Sequence, residues 1–290
     1  MKSQSYLEGL GLPGRDLYDL PSSSLRFPDG EAFHLEIPST EGPDAFEAVL
    51  DEARKHSIRV HRVSQGSGIW MLTDEEIRRM VAIGAANDVE VCLFVGPRAG
   101  WDTGRQATTP GGQILSGSLR GADQLSYGLE DVIHGCDLGV RSILVADLGQ
   151  LYVIGKLKEK GDLPSDLIVK VSASLPVANP AAARLYEDLG ATTLNLAVDL
   201  SLPALAAIRS AVTLPVDLYI ESSDDFGGIM RYYEIPEIVR VAAPVHLKFA
   251  VRNSPGVYPS GGHLQSQVEL LSRERVRRAA LGLALLDRLN

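Results

Sequence analysis

The side chains able to do chemistry in this 290-residue chain are concentrated in short β-rich runs. Glu36 lies in "FHLEIP", Arg62 in "IRVHRVS", Lys170 in "LIVKVS" and Asn195 in "TTLNLA". Tyr219 and Glu221 share "VDLYIE", and Lys248 lies in "VHLKFA". Side chains alternate in direction along a strand, so residues two apart share a face. With the apolar parity turned towards a helical layer, the other face reads His34, Glu36, Arg62, Ser64, Cys92, Lys170 and Ser172. It continues through Asn195, Tyr219, Glu221, His246 and Lys248. Lysines and glutamates on an inner face are costly to bury unless paired. They read either as buried ion pairs, Glu36 with Lys170 and Glu221 with Lys248, or as an active site.

A desolvated lysine can be a Schiff-base nucleophile, or a fixed positive charge facing a carboxylate or an enolate. Nothing in the sequence marks an imine lysine, so Lys170 and Lys248 read first as charge anchors. Lys248 and Arg252 together would make a cationic patch. Glu36, Asp147 and Glu221 are candidates for general acid–base work or, alternatively, for holding a divalent ion through oxygen. The catalytic candidates are therefore Lys170, Lys248, Glu36, Glu221 and Asp147. Arg62, Arg98, Asn195, Tyr219, Arg252 and Asn253 are the substrate-binding candidates, with His61 a further donor. No tight His or Cys spacing assigns a metal ligand. "SQGSG" (64–68) reads equally as an anion-binding loop or a tight turn, and no Gly-x-Ser-x-Gly elbow is present.

The elements that must position these groups follow from the periodicity. Strand patterns occur at 33–38, 58–64, 90–96, 142–147, 167–172, 192–197, 216–221 and 245–250, separated by helical stretches. One of these helices opens with Thr73 and Glu76, a capping box. Such alternation predicts an α/β fold, a single (β/α)8 TIM barrel spanning 32–290, with an irregular Gly/Pro/Ser-rich arm over 1–31. The long loops 97–122 and 251–264 follow strands three and eight, on the side where barrel enzymes build their sites. Trp70 and Trp101 fall beside that mouth.

Net charge of −9 argues against nucleic-acid or anionic-membrane binding. The basic run Arg273, Arg275, Arg277 and Arg278 reads as the solvated face of a terminal helix. Two cysteines in unrelated contexts, Cys92 and Cys136, make neither a disulfide framework nor a zinc set. With no membrane-length apolar span, the expected location is cytoplasmic, the expected partner a small-molecule substrate, and a homo-oligomer is compatible.

Several stretches also carry a family resemblance: "TDEEIRRMVAIGAANDVEVCLFV", "LGVRSILVADLGQL" and "ANPAAARLYEDLGATTLNLAVDLSLPALAAI". With "IPEIVRVAAPVHLKFAVRNSPGVY" they resemble the collagenase-like peptidases of unknown catalytic type, the U-thirty-two family, over roughly residues 73 to 258. The resemblance implies a barrel core, peptidase activity and, in some members, an iron–sulfur cluster; its Lys-x-x-x-Arg segment falls on Lys248 and Arg252. Where the family has a His-Gly stretch and a cysteine motif, this chain has "YIESSDDFGG". Two cysteines cannot build a four-thiolate cluster in one subunit. The expectation is a lyase- or isomerase-type enzyme on a small anionic metabolite, with a peptidase or amidohydrolase, or a non-catalytic binding barrel, as alternatives.

Overall fold

A computed structural model describes residues 1–102, 104–175 and 177–289. Strands β1 (Phe33–Pro38), β2 (Arg62–Gln65), β3 (Glu90–Phe94) and β4 (Ser142–Val145) are followed by β5 (Ile168–Val171), β6 (Thr193–Asn195), β7 (Val216–Glu221) and β8 (Val245–Phe249). They pair in parallel in chain order and close β8 onto β1, the (β/α)8 barrel expected from the alternation. Helices α2 (Pro43–His56), α3 (Asp74–Asn87), α4 (Gly121–Asp137), α5 (Leu148–Lys160), α6 (Pro180–Asp188), α7 (Leu202–Ala211), α8 (Ile235–Ala242) and α9 (Gln265–Leu289) follow the strands.

Strand alternation is what divides this barrel into two cores. Leu35, Ile37, Val63, Leu93, Ile143 and Val169 turn outward and are buried under the helices, in one continuous apolar cluster. Each such side chain contributes about 1.5–3 kcal/mol when fully buried. The opposite parity fills the interior, where Cys92, Phe94, Leu144 and Ala146 form a small apolar cluster on the β3–β4 side. On the other sides it holds Glu36, Arg62, Lys170, Asn195, Asp217 and Lys248, all buried.

Local caps set the helix starts at the C-terminal mouth. The Thr73–Glu76 capping box forms, with Thr73 N donating to Glu76 Oε2 at 2.8 Å and Glu76 N to Thr73 Oγ1 at 3.3 Å. Asp147, expected to be catalytic, is the N-cap of α5: its carboxylate accepts the backbone N–H groups of Gln150 and Leu119 at 2.9 and 3.0 Å. A strand-end acid followed by a helix is as good a cap as a catalytic group, and here both oxygens are taken by amides.

The first 31 residues are less irregular than their composition suggests, because they include a helix, α1 (Lys2–Gly9). The chain then runs along the barrel wall, with Leu17 N donating to Pro203 O and Ser23 N to Arg240 O. The basic run on α9 is also not simply a solvated face. Arg275 is buried and donates to Ser39 O at 3.0 Å, and Arg278 reaches inward to Glu221. Among the described residues no helix is long and apolar enough to cross a membrane.

Candidate active site

Glu36 is the hub of the barrel interior. Its carboxylate contacts Lys170 Nζ, lies 3.3 Å from both Lys248 Nζ and Arg62 Nη1, and accepts the Ser64 hydroxyl at 2.7 Å. A second acid, Asp217 on β7, meets Arg62 at 2.8 Å, the His246 ring at 2.9 Å and the Thr193 hydroxyl at 2.7 Å. Glu90 completes the layer at 2.8 Å from Arg62 Nε. Three cations thus face three carboxylates, and Glu36, Lys170 and Asp217 have no accessible surface. Burial pushes the Glu36 and Asp217 carboxyls up, but the surrounding cations outweigh it and hold both below the usual carboxylate range. Burial dominates at Lys170 and lowers its ammonium, against the pull of Asp217 and Glu36.

Strand parity brings Glu36, Arg62, Lys170, Asn195, Tyr219 and Lys248 together in this interior. Asp217 and Glu90 share parity with Tyr219 and Cys92, so the same alternation could have found them. Glu221 is a different case. The β7–β8 register shifts between Tyr219 and Glu221, a bulge that pairs Glu221 with outward-facing Phe249. Its carboxylate therefore points away from Lys248, accepting the Tyr232 hydroxyl at 2.5 Å, the Arg252 backbone N–H at 2.9 Å and Arg278 at 3.2 Å. One extra residue on one strand reverses every side chain beyond it. The pairing of Glu221 with Lys248 is excluded by these directions.

Above the charged layer, the C-terminal mouth holds a cavity of ≈ 190 Å³. Lys248 lines it from below, where Nζ donates to Asn195 Oδ1 at 2.6 Å and sits 4.3 Å from the centre of the Tyr219 ring. Arg98 lines one wall. Its guanidinium lies 3.6 Å from the Phe94 ring centre and 3.9 Å from that of Trp101, and donates to Gly66 O at 2.6 Å. Burial brings the Arg98 guanidinium down to about 10. Trp101 lines the cavity; Trp70 meets its ring edge-on and stays half exposed. Arg252 and Asn253, expected to bind substrate, lie outside the cavity lining, both held to Asp224 on the exposed turn.

The two long loops cover this mouth, contributing Gly100, Trp101 and Ser116 from one and Tyr258 from the other. "SQGSG" is a tight turn rather than an anion cradle. Gly66 N and Ser67 N donate to the buried Glu41 carboxylate at 2.6 and 3.0 Å, and Gly68 N to Gln65 Oε1 at 3.0 Å. Its amides are already satisfied. Among the described residues lining the cavity, two are cationic, Lys248 and Arg98, and none is acidic.

At the opposite, N-terminal mouth, Phe27, His34 and His61 stack, with ring centres 3.7 and 4.0 Å apart, and His34 Nε2 lies 2.9 Å from Asp29. His61 is therefore not a donor for the cavity. Asp29, His34 and His61 are close enough to suggest a metal, their nearest ligand atoms within 4.8 Å of one another. The tautomer argues otherwise. His61 Nδ1 accepts the Leu35 backbone N–H at 3.1 Å, so the proton of the neutral ring is on Nε2, which then has no lone pair to offer. Near-parallel rings, 8° apart, also cannot both hold one ion in their planes. The cluster packs as a plug.

No family model matches the chain, and no curated protein matches it. Solved structures of similar fold include a U32 peptidase, at 15% identity and TM-score 0.44, covering 80% of this chain and 97% of that one. The CutC protein of Streptococcus agalactiae is similar at 13% identity and TM-score 0.48, covering 74% and 98%. Thiamine phosphate pyrophosphorylase of Pyrococcus furiosus is similar at 12% and 0.45, covering 85% and 96%. The peptidase stands among barrels of other kinds at the same level, and these likenesses assign no residue of the site.

Proposed function

We propose that the chain is a TIM-barrel enzyme that binds a small anionic metabolite at its C-terminal mouth and acts on it by acid–base chemistry centred on Lys248. One observation carries this reading: the cavity lining, among the described residues, has two cations and no acid. Such a cavity favours an anion over a neutral or cationic ligand. Lys248 is also the lysine that touches both the cavity and the charged layer beneath it. In a lyase or isomerase reaction its ammonium would hold the substrate's carboxylate and stabilise the negative charge that develops on the neighbouring oxygen. Lys170, on the same Glu36 carboxylate, would keep that acid paired while Lys248 engages the substrate.

The test is solvent-deuterium incorporation, followed by NMR, into a panel of small 2-oxo and 2-hydroxy acids. Exchange at the carbon beside the carbonyl, lost in Lys248→Met, is the expected result. Binding of these acids without exchange in any of them would favour a non-catalytic binding barrel, a reading supported by the mutual pairing of Glu36, Lys170, Arg62 and Asp217. A hydrolase would need a nucleophile and a base. A cavity-lining serine that meets a carboxylate is Ser64, on Glu36, and a carboxylate shared among three cations is a poor base.

A further inference from the structure

The two cations that line the cavity are not placed alike. Lys248 belongs to the ionic layer, its Nζ donating to Asn195 Oδ1 and lying 3.3 Å from Glu36. Arg98 follows β3, on another side of the closed barrel, with β1 and β2 between it and β8. It is partly buried, and among the described residues no carboxylate pairs with it. Its guanidinium makes one hydrogen bond there, to the neutral carbonyl of Gly66 at 2.6 Å, and Nε is buried without a partner. Glu41, the acid whose charge reaches it, is occupied by Gly66 N and Ser67 N. A guanidinium carries five N–H donors, and one withdrawn from water without an anion is costly to hold. The Phe94 and Trp101 rings lie against its faces, so it meets a ligand through its N–H edge, in the part that lines the cavity.

We infer that the substrate class of this site is a short dicarboxylate, with one carboxylate on Lys248 and the other on the N–H edge of Arg98. The inference rests on the anion-binding reading above and adds a second anionic group to it. A monoanion held by Lys248 leaves Arg98 without a counter-charge, whereas a dianion supplies both cations. The lining has no acid to repel the second group. A carboxylate offers two oxygens to a guanidinium fork. A phosphate would bring a third, and the amides beside Arg98, at Gly66, Ser67 and Gly68, already donate to Glu41 and Gln65. The cavity of ≈ 190 Å³ keeps the chain between the two carboxylates short.

Calorimetric titration with acids of matched carbon number tests this: malonate against propionate, succinate against butyrate, and glutarate against valerate. The wild-type chain is expected to bind one diacid about tenfold or more tightly than its monoacid partner. The preference should peak at one length, because two fixed cations admit one span. In Arg98→Met that ratio should shrink towards one, while the monoacids stay within several-fold of their wild-type affinity. Arg98→Lys keeps the charge and should retain part of the preference. Lys248→Met should weaken every acid. Diacids no tighter than monoacids, with Lys248→Met still weakening both, would overturn the dicarboxylate inference and leave the anion site standing. So would a diacid preference that survives Arg98→Met. Affinities untouched by Lys248→Met, or no binding of any acid, would overturn the anion-binding reading and this inference with it. The wild-type ratios need no variant, and circular dichroism of each variant separates a lost contact from a lost fold.

Discussion

Lys248 Nζ lies 3.3 Å from the Glu36 carboxylate that also holds Lys170, so the lysine at the floor of the cavity is one corner of a sealed ionic layer. This relationship ties the stability of the barrel to the electrostatics of its mouth. It also explains why the layer's members respond differently to substitution: only those that reach the cavity can change binding without first unsettling the core.

Neutralising the hub should be severe. In Glu36→Gln, the cations Arg62, Lys170 and Lys248 lose their shared partner in the barrel interior, where Glu36 and Lys170 are fully buried. Removing one member of a buried ionic group typically costs about 3–5 kcal/mol. Urea unfolding of the variant should show that loss. A cost below about 1 kcal/mol would mean that the pairs are far better solvated than their burial implies.

Glu221 should behave as a structural residue. Its partners Arg278 and Tyr232 lie on the outside of the bulge, away from the cavity. Glu221→Gln is expected to destabilise by about 1–3 kcal/mol, the cost of upsetting a buried charge-assisted group, while affinity for carboxylates stays unchanged. A drop in affinity at unchanged stability would return Glu221 to the site.

The N-terminal plug makes stability depend on pH. Burial is the leading cause that brings His61 down to about 3, and it also lowers His34 and His246. A depressed histidine leaves the folded chain with fewer bound protons than the unfolded one below pH 6.5, so its contribution is present above that value and lost as pH falls. Asp131, raised to about 6 by burial, and Glu41, also raised by burial, work in the opposite direction. Three histidines against two acids predict a net fall. Calorimetric Tm should decrease from pH 7 to pH 5, and His61→Phe should flatten that slope; a Tm that rises on acidification would contradict the packing of the plug.

Arg98 should not be replaceable by lysine. Its flat guanidinium covers two rings at once and donates to Gly66 O, which a lysine ammonium cannot match in stacking area. Arg98→Lys keeps the charge, so carboxylate binding through Lys248 should persist, weakened by several-fold as Trp101 loses its support. Tryptophan fluorescence reads this directly: ligand-induced change at Trp101 should shrink in the variant. An unaltered fluorescence response would show that Trp101 is held by Trp70 and its loop instead.

How much of this was legible in the sequence varies residue by residue. Parity along β1, β2, β5 and β8 turns Glu36, Arg62, Lys170 and Lys248 into the same interior, because alternation is a local property of an extended chain. The same rule pointed at Asp217 and Glu90, whose positions near the N-terminal ends of their strands made them easy to pass over. It misdirected Glu221, because nothing in "VDLYIE" announces the bulge. Asp147 was ambiguous for a different reason: a strand-end acid before a helix is a cap and an active-site residue in the same sequence pattern. Arg275 and Arg278 looked solvated because a helix reveals its buried face only against its neighbours.

The sequence by itself determined the barrel, since strand and helix periods, their order and the lengths of the loops are written within a few residues of each position. Which lysine reaches the cavity, which acid serves as its partner, and which walls are aromatic were decided only by tertiary structure. Closure sets β1 beside β8, β3 across from β7 and Lys170 against Glu36, contacts between residues up to 212 positions apart (Leu35 and Leu247). A buried charge takes its character from whatever surrounds it in space, and separation along the chain carries almost no record of those surroundings.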